Sequence, residues 1–233
     1  MLNQEGLLVN AGMIDKVHYT QNIFRLLMDA MARPGSIVQL EPYAYKPKEI
    51  DYPFRHFIGV GLTLLDQEVS FHVHGANGEN GTVREDSLTL VQDLQLLTRS
   101  RTRGIEFADY VFVPSGGEPN IDLCQRGELQ NPDQSATIVY ELEEITIGER
   151  DSVNMAQVDE SVHSVHHRIQ LSLQGPGILG ERMIQLHGLH ESLLPKWQAC
   201  NHEFPLGLDF IFVDRQGRAC CIPRSSLFQW EVL

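Results

Sequence analysis

The chain has 233 residues and carries 18 Lys and Arg against 31 Asp and Glu, a formal charge of −13. A field of that sign repels nucleic acid and anionic lipid, and so excludes dedicated binding to either. The 42% hydrophobic and 21% charged composition excludes intrinsic disorder, and a chain of this length can bury about 70% of its unfolded surface. Cys124, Cys200, Cys220 and Cys221 match neither a zinc-ribbon nor a Cys-x-x-Cys spacing, so reduced, buried thiols in a cytoplasmic protein are expected. Met1 to Gly12 lacks the pattern of a secretory leader, and no apolar run approaches the roughly 18 residues that span a bilayer. A soluble, untargeted chain follows, forming a single domain over residues 1–233.

In chain order, Asp15 is the first candidate N-cap, and Phe24, Leu27, Met28 and Met31 recur at helical spacing. Arg33-Pro34-Gly35 ends that helix and turns the chain into a strand at Ile37-Val38. The three prolines between Tyr43 and Pro53 predict a surface loop, and Phe54 to Leu65 predicts a helix packed closely through Gly59 and Gly61. Val69, Phe71 and Val73 alternate as a half-buried strand does, closed by the glycine-rich segment Gly75 to Gly81. A helix over Glu85 to Thr98, terminated at Gly104, precedes a strand at Tyr110 to Val113 and a connection over Pro114 to Pro119.

Strands are expected at Ala136 to Leu142, at Glu144 to Ile147 and from His163 to Leu173, with a polar insertion around Glu149 to Ser164. Ser192 to Cys200 carries a short helix. Leu208 to Val213 and Ala219 to Ile222 flank Asp214-Arg215-Gln216-Gly217 as a hairpin. Helices alternate with strands early and strands dominate late, which predicts an α/β fold with helices covering a mixed sheet.

The candidate sites are sparse. Gly175-Pro176-Gly177-Ile178-Leu179-Gly180 fits G-x-G-x-x-G, yet it comes late and no helix follows, so it reads as a turn. His166 and His167 are strand neighbours facing opposite ways, which argues against a shared metal with His163, and His187 and His190 lack an H-E-x-x-H context. Arg99, Arg101 and Arg103 complement a helix C-terminus and could also fork onto a phosphate. Of the four lysines, Lys16, Lys46, Lys48 and Lys196, only Lys196 beside Trp197 has an apolar setting for Schiff-base chemistry. No nucleophile elbow and no Walker loop occurs. The residues themselves leave open an autonomous small-molecule transferase or hydrolase, a ligand-binding homodimer and a subunit without chemistry of its own.

Two distant segments carry a family likeness. Phe24-Arg25-Leu26-Leu27-Met28-Asp29-Ala30-Met31 with Arg33-Pro34-Gly35, and Phe204-Pro205-Leu206-Gly207-Leu208-Asp209 with Ile222-Pro223-Arg224, resemble the PhnH family of carbon-phosphorus lyase subunits. Between them Leu62 to Asp66, Pro132, Ser135-Ala136, Leu173 to Ile178 and Glu181-Arg182-Met183 fall in the family's order. Ser225-Ser226 stands where threonines often follow the arginine, and the insertion around Glu149 departs from the pattern.

The resemblance implies a three-layer sandwich with a mixed sheet, similar to the large domain of pyridoxal-phosphate-dependent transferases but without the cofactor. It implies a homodimer whose partners are the other phosphonate-pathway subunits, with no nucleic acid and no membrane. It also implies support, as a structural or substrate-positioning component, for the reaction in which a phosphonate displaces adenine from ATP to give alpha-D-ribose 1-methylphosphonate 5-triphosphate. No catalytic residue and no metal ligand is assigned. Arg33 and Arg224, each beside a proline that fixes the backbone, are the candidates for contact with an anion or a partner.

Overall fold

A computed structural model describes residues 4–42, 54–76, 83–148 and 168–233, with side chains from residue 16 onward. The elements are α1 (Gln4–Ala32), β1 (Val38–Gln39), α2 (Arg55–Leu64), β2 (Ser70–Val73), α3 (Glu85–Thr98), β3 (Arg101–Thr102), β4 (Tyr110–Val113), β5 (Arg126–Glu128), β6 (Asn131–Ser135) and β7 (Thr137–Leu142). They continue with β8 (Glu144–Ile147), β9 (Arg168–Gln174), β10 (Arg182–His187), α4 (Leu193–Asn201), β11 (Asp209–Asp214), β12 (Arg218–Ile222) and β13 (Leu227–Val232).

The fold is mixed α/β. A seven-stranded sheet runs β1-β12-β11-β7-β4-β2-β3, and a four-stranded sheet runs β13-β9-β10-β8. In the larger sheet β3, β2, β4, β7 and β11 are parallel, while β12 returns antiparallel to β11 through the predicted hairpin and β1 pairs antiparallel with β12 at the edge. Strand alternation splits the core. Phe71, Phe112, Val139, Ile211 and Cys221 face Ile23, Leu27 and Ala30 of α1 and the apolar faces of α2 and α3. Val111, Ile138, Tyr140, Phe210, Phe212 and Cys220 face α4 and the buried side of the four-stranded sheet, Ile169, Leu171, Ile184 and Leu186. Trp197 of α4 anchors that second layer, fully buried with its ring 4.2 Å from the ring centroids of both Phe210 and Phe228.

Several expectations are corrected. Asp15 is no N-cap, because α1 begins at Gln4. The helix also buries Ile23, Leu27 and Ala30, leaving Phe24 and Met28 about half exposed, so the stripe is rotated from the one the apolar residues suggest. Strand β2 is buried at all four positions rather than on one face, because a parallel strand in a covered sheet has no solvent side. Helix α3 ends at Thr98 as expected, but its terminator is Arg99 in the left-handed region (φ 61°) and not Gly104. The strand expected from His163 is described from Arg168. The loop over Tyr43 to Pro53, most of Gly75 to Gly81, and the insertion around Glu149 to Ser164 lie outside the described residues.

Close packing at the helix pair is as predicted. A Cβ on Gly59 would strike the Tyr19 hydroxyl, and one on Gly61 would strike Leu94. The Gly175 to Gly180 segment is the turn from β9 into β10, not a dinucleotide loop. Gly177 (φ 80°) has room only for hydrogen there, because a Cβ would collide with the Ala32 carbonyl oxygen.

Candidate functional site

The two arginines singled out by sequence occupy different seams of the fold. Arg33 pairs with Asp29 one helical turn back, and its side chain is 57% exposed. The backbone around it is held from the other sheet, where Arg182 Nη1 donates to the carbonyls of Arg33 (3.1 Å) and Pro34 (2.8 Å). Arg224 is spent internally. Its backbone N–H donates to Asp209 Oδ1 (2.8 Å), Nε bridges both Asp209 oxygens (3.2 Å each), and Nη1 donates to the Pro132 carbonyl (2.7 Å). Its Nη2 pairs with Asp209 as well. The separated segments of the family likeness therefore meet in space: Arg33-Pro34-Gly35 lies against the β9–β10 turn and Arg182, and Asp209 clasps Arg224 beside Pro132.

A different set of residues builds a cavity. Strands β2, β4, β7 and β11 are parallel, so their carboxyl ends lie on one side of the sheet, where the amino termini of α2 and α3 also arrive. Open α/β sheets place ligands at that edge. Here a cavity of about 680 Å³ is lined by Arg55 and His56 from the start of α2, Arg84 and Asp86 from the start of α3, Ser115 after β4, Glu141 from β7 and Arg215 after β11. Volumes of that order suit a small-molecule ligand.

Each wall has a local cause. Asp214 ends β11 with a fully buried carboxylate that accepts N–H groups from Ile145 (3.1 Å), Gln216 (2.9 Å) and Arg218 (2.9 Å), as well as the Arg218 guanidinium (2.6 Å). This pins the hairpin turn and sets Arg215 at the cavity. Arg84 Nη1 donates to the Ser115 carbonyl (3.2 Å), and Ser115 N–H donates to Glu141 Oε2 (3.0 Å). Glu141 is only 7% exposed. Burial pushes its carboxyl above the ordinary value, opposed by the Ser115 N–H and by Arg215 and Arg84. Burial lowers His56, with Asp214 opposing and Arg55 adding to the fall, so its ring is biased toward the neutral form.

Sequence reading misses this site because its members are scattered over some 160 positions and share no motif. One signal is available: Glu141 is an acid inside the apolar strand Thr137–Leu142, and buried carboxylates are rare unless something uses or compensates them.

The other sequence candidates fall elsewhere. Arg99 caps α3, and Arg101 and Arg103 are exposed near the β3 edge. His187 lies 3.8 Å from Glu144, while His190 pairs with Glu118 (2.7 Å) and Ser192 (3.0 Å). His163, His166 and His167 lie outside the described residues. Among the described residues no three His, Cys, Asp or Glu side chains converge as a metal site. All four thiols are buried and free, and burial pushes Cys124 and Cys220 up to about 12. Lys196 lines a smaller polar cavity of about 210 Å³ with Glu118 and His190. No helix among the described residues is long and apolar enough to cross a membrane.

The mixed seven-stranded sheet with helices, and with Arg55, Arg84 and Arg215 gathered at its strand ends, defines an α/β protein. Its sequence places it more narrowly. The chain belongs to the family described as bacterial phosphonate metabolism protein (PhnH), whose model matches residues 11–229. It is 26% identical to the alpha-D-ribose 1-methylphosphonate 5-triphosphate synthase subunit PhnH of Rhizobium meliloti (strain 1021) over 235 residues, covering 99% of this chain and all of that one. It is also 26% identical to the putative C-P lyase subunit protein HtxG of Stutzerimonas stutzeri, over 88% of this chain and 84% of that protein.

Proposed function

We propose that this chain is a subunit of the carbon-phosphorus lyase complex. It would support synthesis of alpha-D-ribose 1-methylphosphonate 5-triphosphate, in which a phosphonate displaces adenine from ATP, as a structural or substrate-positioning component. The observation that carries this reading is the end-to-end match to a relative named as such a subunit. The displacement needs a bound triphosphate, a phosphonate in line with the ribosyl carbon, and stabilisation of the departing base. The chain supplies at most the positioning part, with the remaining groups coming from other subunits.

The same proposal includes one domain over residues 1–233, a cytoplasmic homodimer, and a large sheet resembling that of pyridoxal-phosphate-dependent transferases without use of that cofactor. Arg33 is the candidate partner contact, because its guanidinium is largely exposed and, among the described residues, pairs only with Asp29 of its own helix. Arg224 is the candidate that holds the surface presenting such contacts, because the Asp209 clasp fixes it. Tagged full-length chain should co-purify with the other phosphonate-pathway subunits. Arg33→Lys should weaken that capture while leaving the chain folded, whereas full capture with unchanged turnover would remove Arg33 from the proposal.

A further inference from the structure

We propose that the strand-end cavity is a binding site for a tetrahedral oxyanion of the phosphate and phosphonate class, held by Arg84, Arg215 and the peptide N–H groups that open α2 and α3. The inference goes beyond the subunit role and does not depend on it.

Four observations converge. First, charge: the molecule carries −13 overall, yet Arg55, Arg84 and Arg215 outnumber Asp86 and Glu141 around this one cavity. Second, the helix ends. The residues before α2 and α3 are Phe54 and Arg84, and neither supplies a side-chain cap. A serine, threonine or aspartate at those positions would normally take up the first unpaired N–H groups. Among the described residues no side chain accepts from those donors, which lie on the side of the sheet where the cavity opens, and the positive ends of both helix dipoles reinforce them.

Third, donor availability. Arg84 commits Nη1 to the Ser115 carbonyl, which fixes its plane and leaves most of a five-donor fork for a ligand. Arg215 donates to no acceptor and makes no ion pair among the described residues, and the Asp214 knot places it. Paired oxygens on one phosphorus match such forks. Fourth, the floor. Glu141 is buried with one oxygen held by Ser115 N–H. In its protonated form the carboxyl can donate a hydrogen bond to a ligand oxygen, and in its ionised form it opposes an anion. The titratable and charged groups facing it are Arg84 and Asp86 from α3, Arg55 and His56 from α2, and Arg215 from the hairpin.

The test is calorimetric titration of the full chain with inorganic phosphate, methylphosphonate and ATP in turn. Saturable binding of at least one probe is expected. Arg215→Gln alters an exposed turn residue without touching the core, and should weaken binding about tenfold through loss of a charge-assisted fork. Arg84→Gln should do the same. Glu141→Gln should tighten binding, most at alkaline pH, because it removes a carboxylate that repels the anion. Arg126→Gln, beside a separate cavity next to Cys200, should change nothing.

ATP displacing methylphosphonate would identify the tail of a nucleoside triphosphate as the occupant. Methylphosphonate binding untouched by ATP would identify a single-phosphorus head group, and either result supports the site. Absence of saturable binding by all three probes overturns it, as does equal loss in Arg215→Gln and Arg126→Gln. Because every titration uses the chain alone, failure here leaves co-purification with other subunits as an independent result.

Discussion

Two regions of this molecule use arginine in opposite ways. At the Asp209–Arg224 clasp the guanidinium is 15% exposed and its donors are consumed by a carboxylate and the Pro132 carbonyl. At the strand-end cavity Arg215 meets no acceptor among the described residues, and Arg84 spends one contact on Ser115. The clasp joins segments that carry the family likeness. The cavity is built by residues outside those segments. Recurrent motifs in such a chain mark where its layers are sewn together, while the groups left over for a ligand are found only once the strand ends are in place.

The contrast can be broken most forcefully at the clasp. Arg224→Ala leaves Asp209 half-buried without its cation, and removing one partner of a buried ion pair costs about 3 kcal/mol. Urea denaturation should show that loss in midpoint without a change in slope. A loss below about 0.5 kcal/mol would place Arg224 with ordinary surface residues. Gly177→Ala comes next, because its backbone has φ 80° and a Cβ there meets the Ala32 carbonyl. A cost of about 1–3 kcal/mol is expected for a strained position of this kind, read in the same denaturation experiment.

The cavity should respond through pH instead. Glu141 has a raised pKa in the folded state, so between the ordinary and raised values the folded chain retains a proton that the unfolded chain has released. Stability therefore falls as pH rises through that window. Glu141→Gln should abolish this decline and raise the melting temperature relative to wild type above it; an unchanged pH profile would show that the carboxyl ionises without penalty. His56 acts in the opposite direction, since a lowered pKa means stability falls as pH drops through its ordinary value of 6.5. The smallest change belongs to Arg33. An exposed pair with Asp29 contributes about 0–1 kcal/mol, so Arg33→Lys should barely move the melting temperature, and any loss of assembly would then report on partner contact.

How much of this was legible from sequence follows the physics of each element. Helix α3 and strand β4 match their expected limits, and the Asp214 to Gly217 hairpin announces itself by turn residues between two apolar runs. The phase of α1 was not legible, because Phe24 and Met28 are as apolar as Leu27 and only tertiary packing decides which face is buried. Strands β10 and β13 carry no legible strand pattern. Each buries a single face of a short antiparallel sheet, and Arg182, His187 and Glu231 interrupt the pattern. Of the site, Arg33 and Arg224 were readable as arginines fixed by neighbouring prolines, but not that Asp209 consumes one of them. Arg55, Arg84, Glu141 and Arg215 meet because parallel strands end together, a relation that no local spacing encodes.

Release of free adenine from ATP and methylphosphonate, measured with the other phosphonate-pathway subunits in the presence and absence of this chain, tests the subunit role most directly. Release should be negligible with this chain alone, and adding it to the others should restore or raise the rate. Robust release by the purified chain with no partner present would contradict that role.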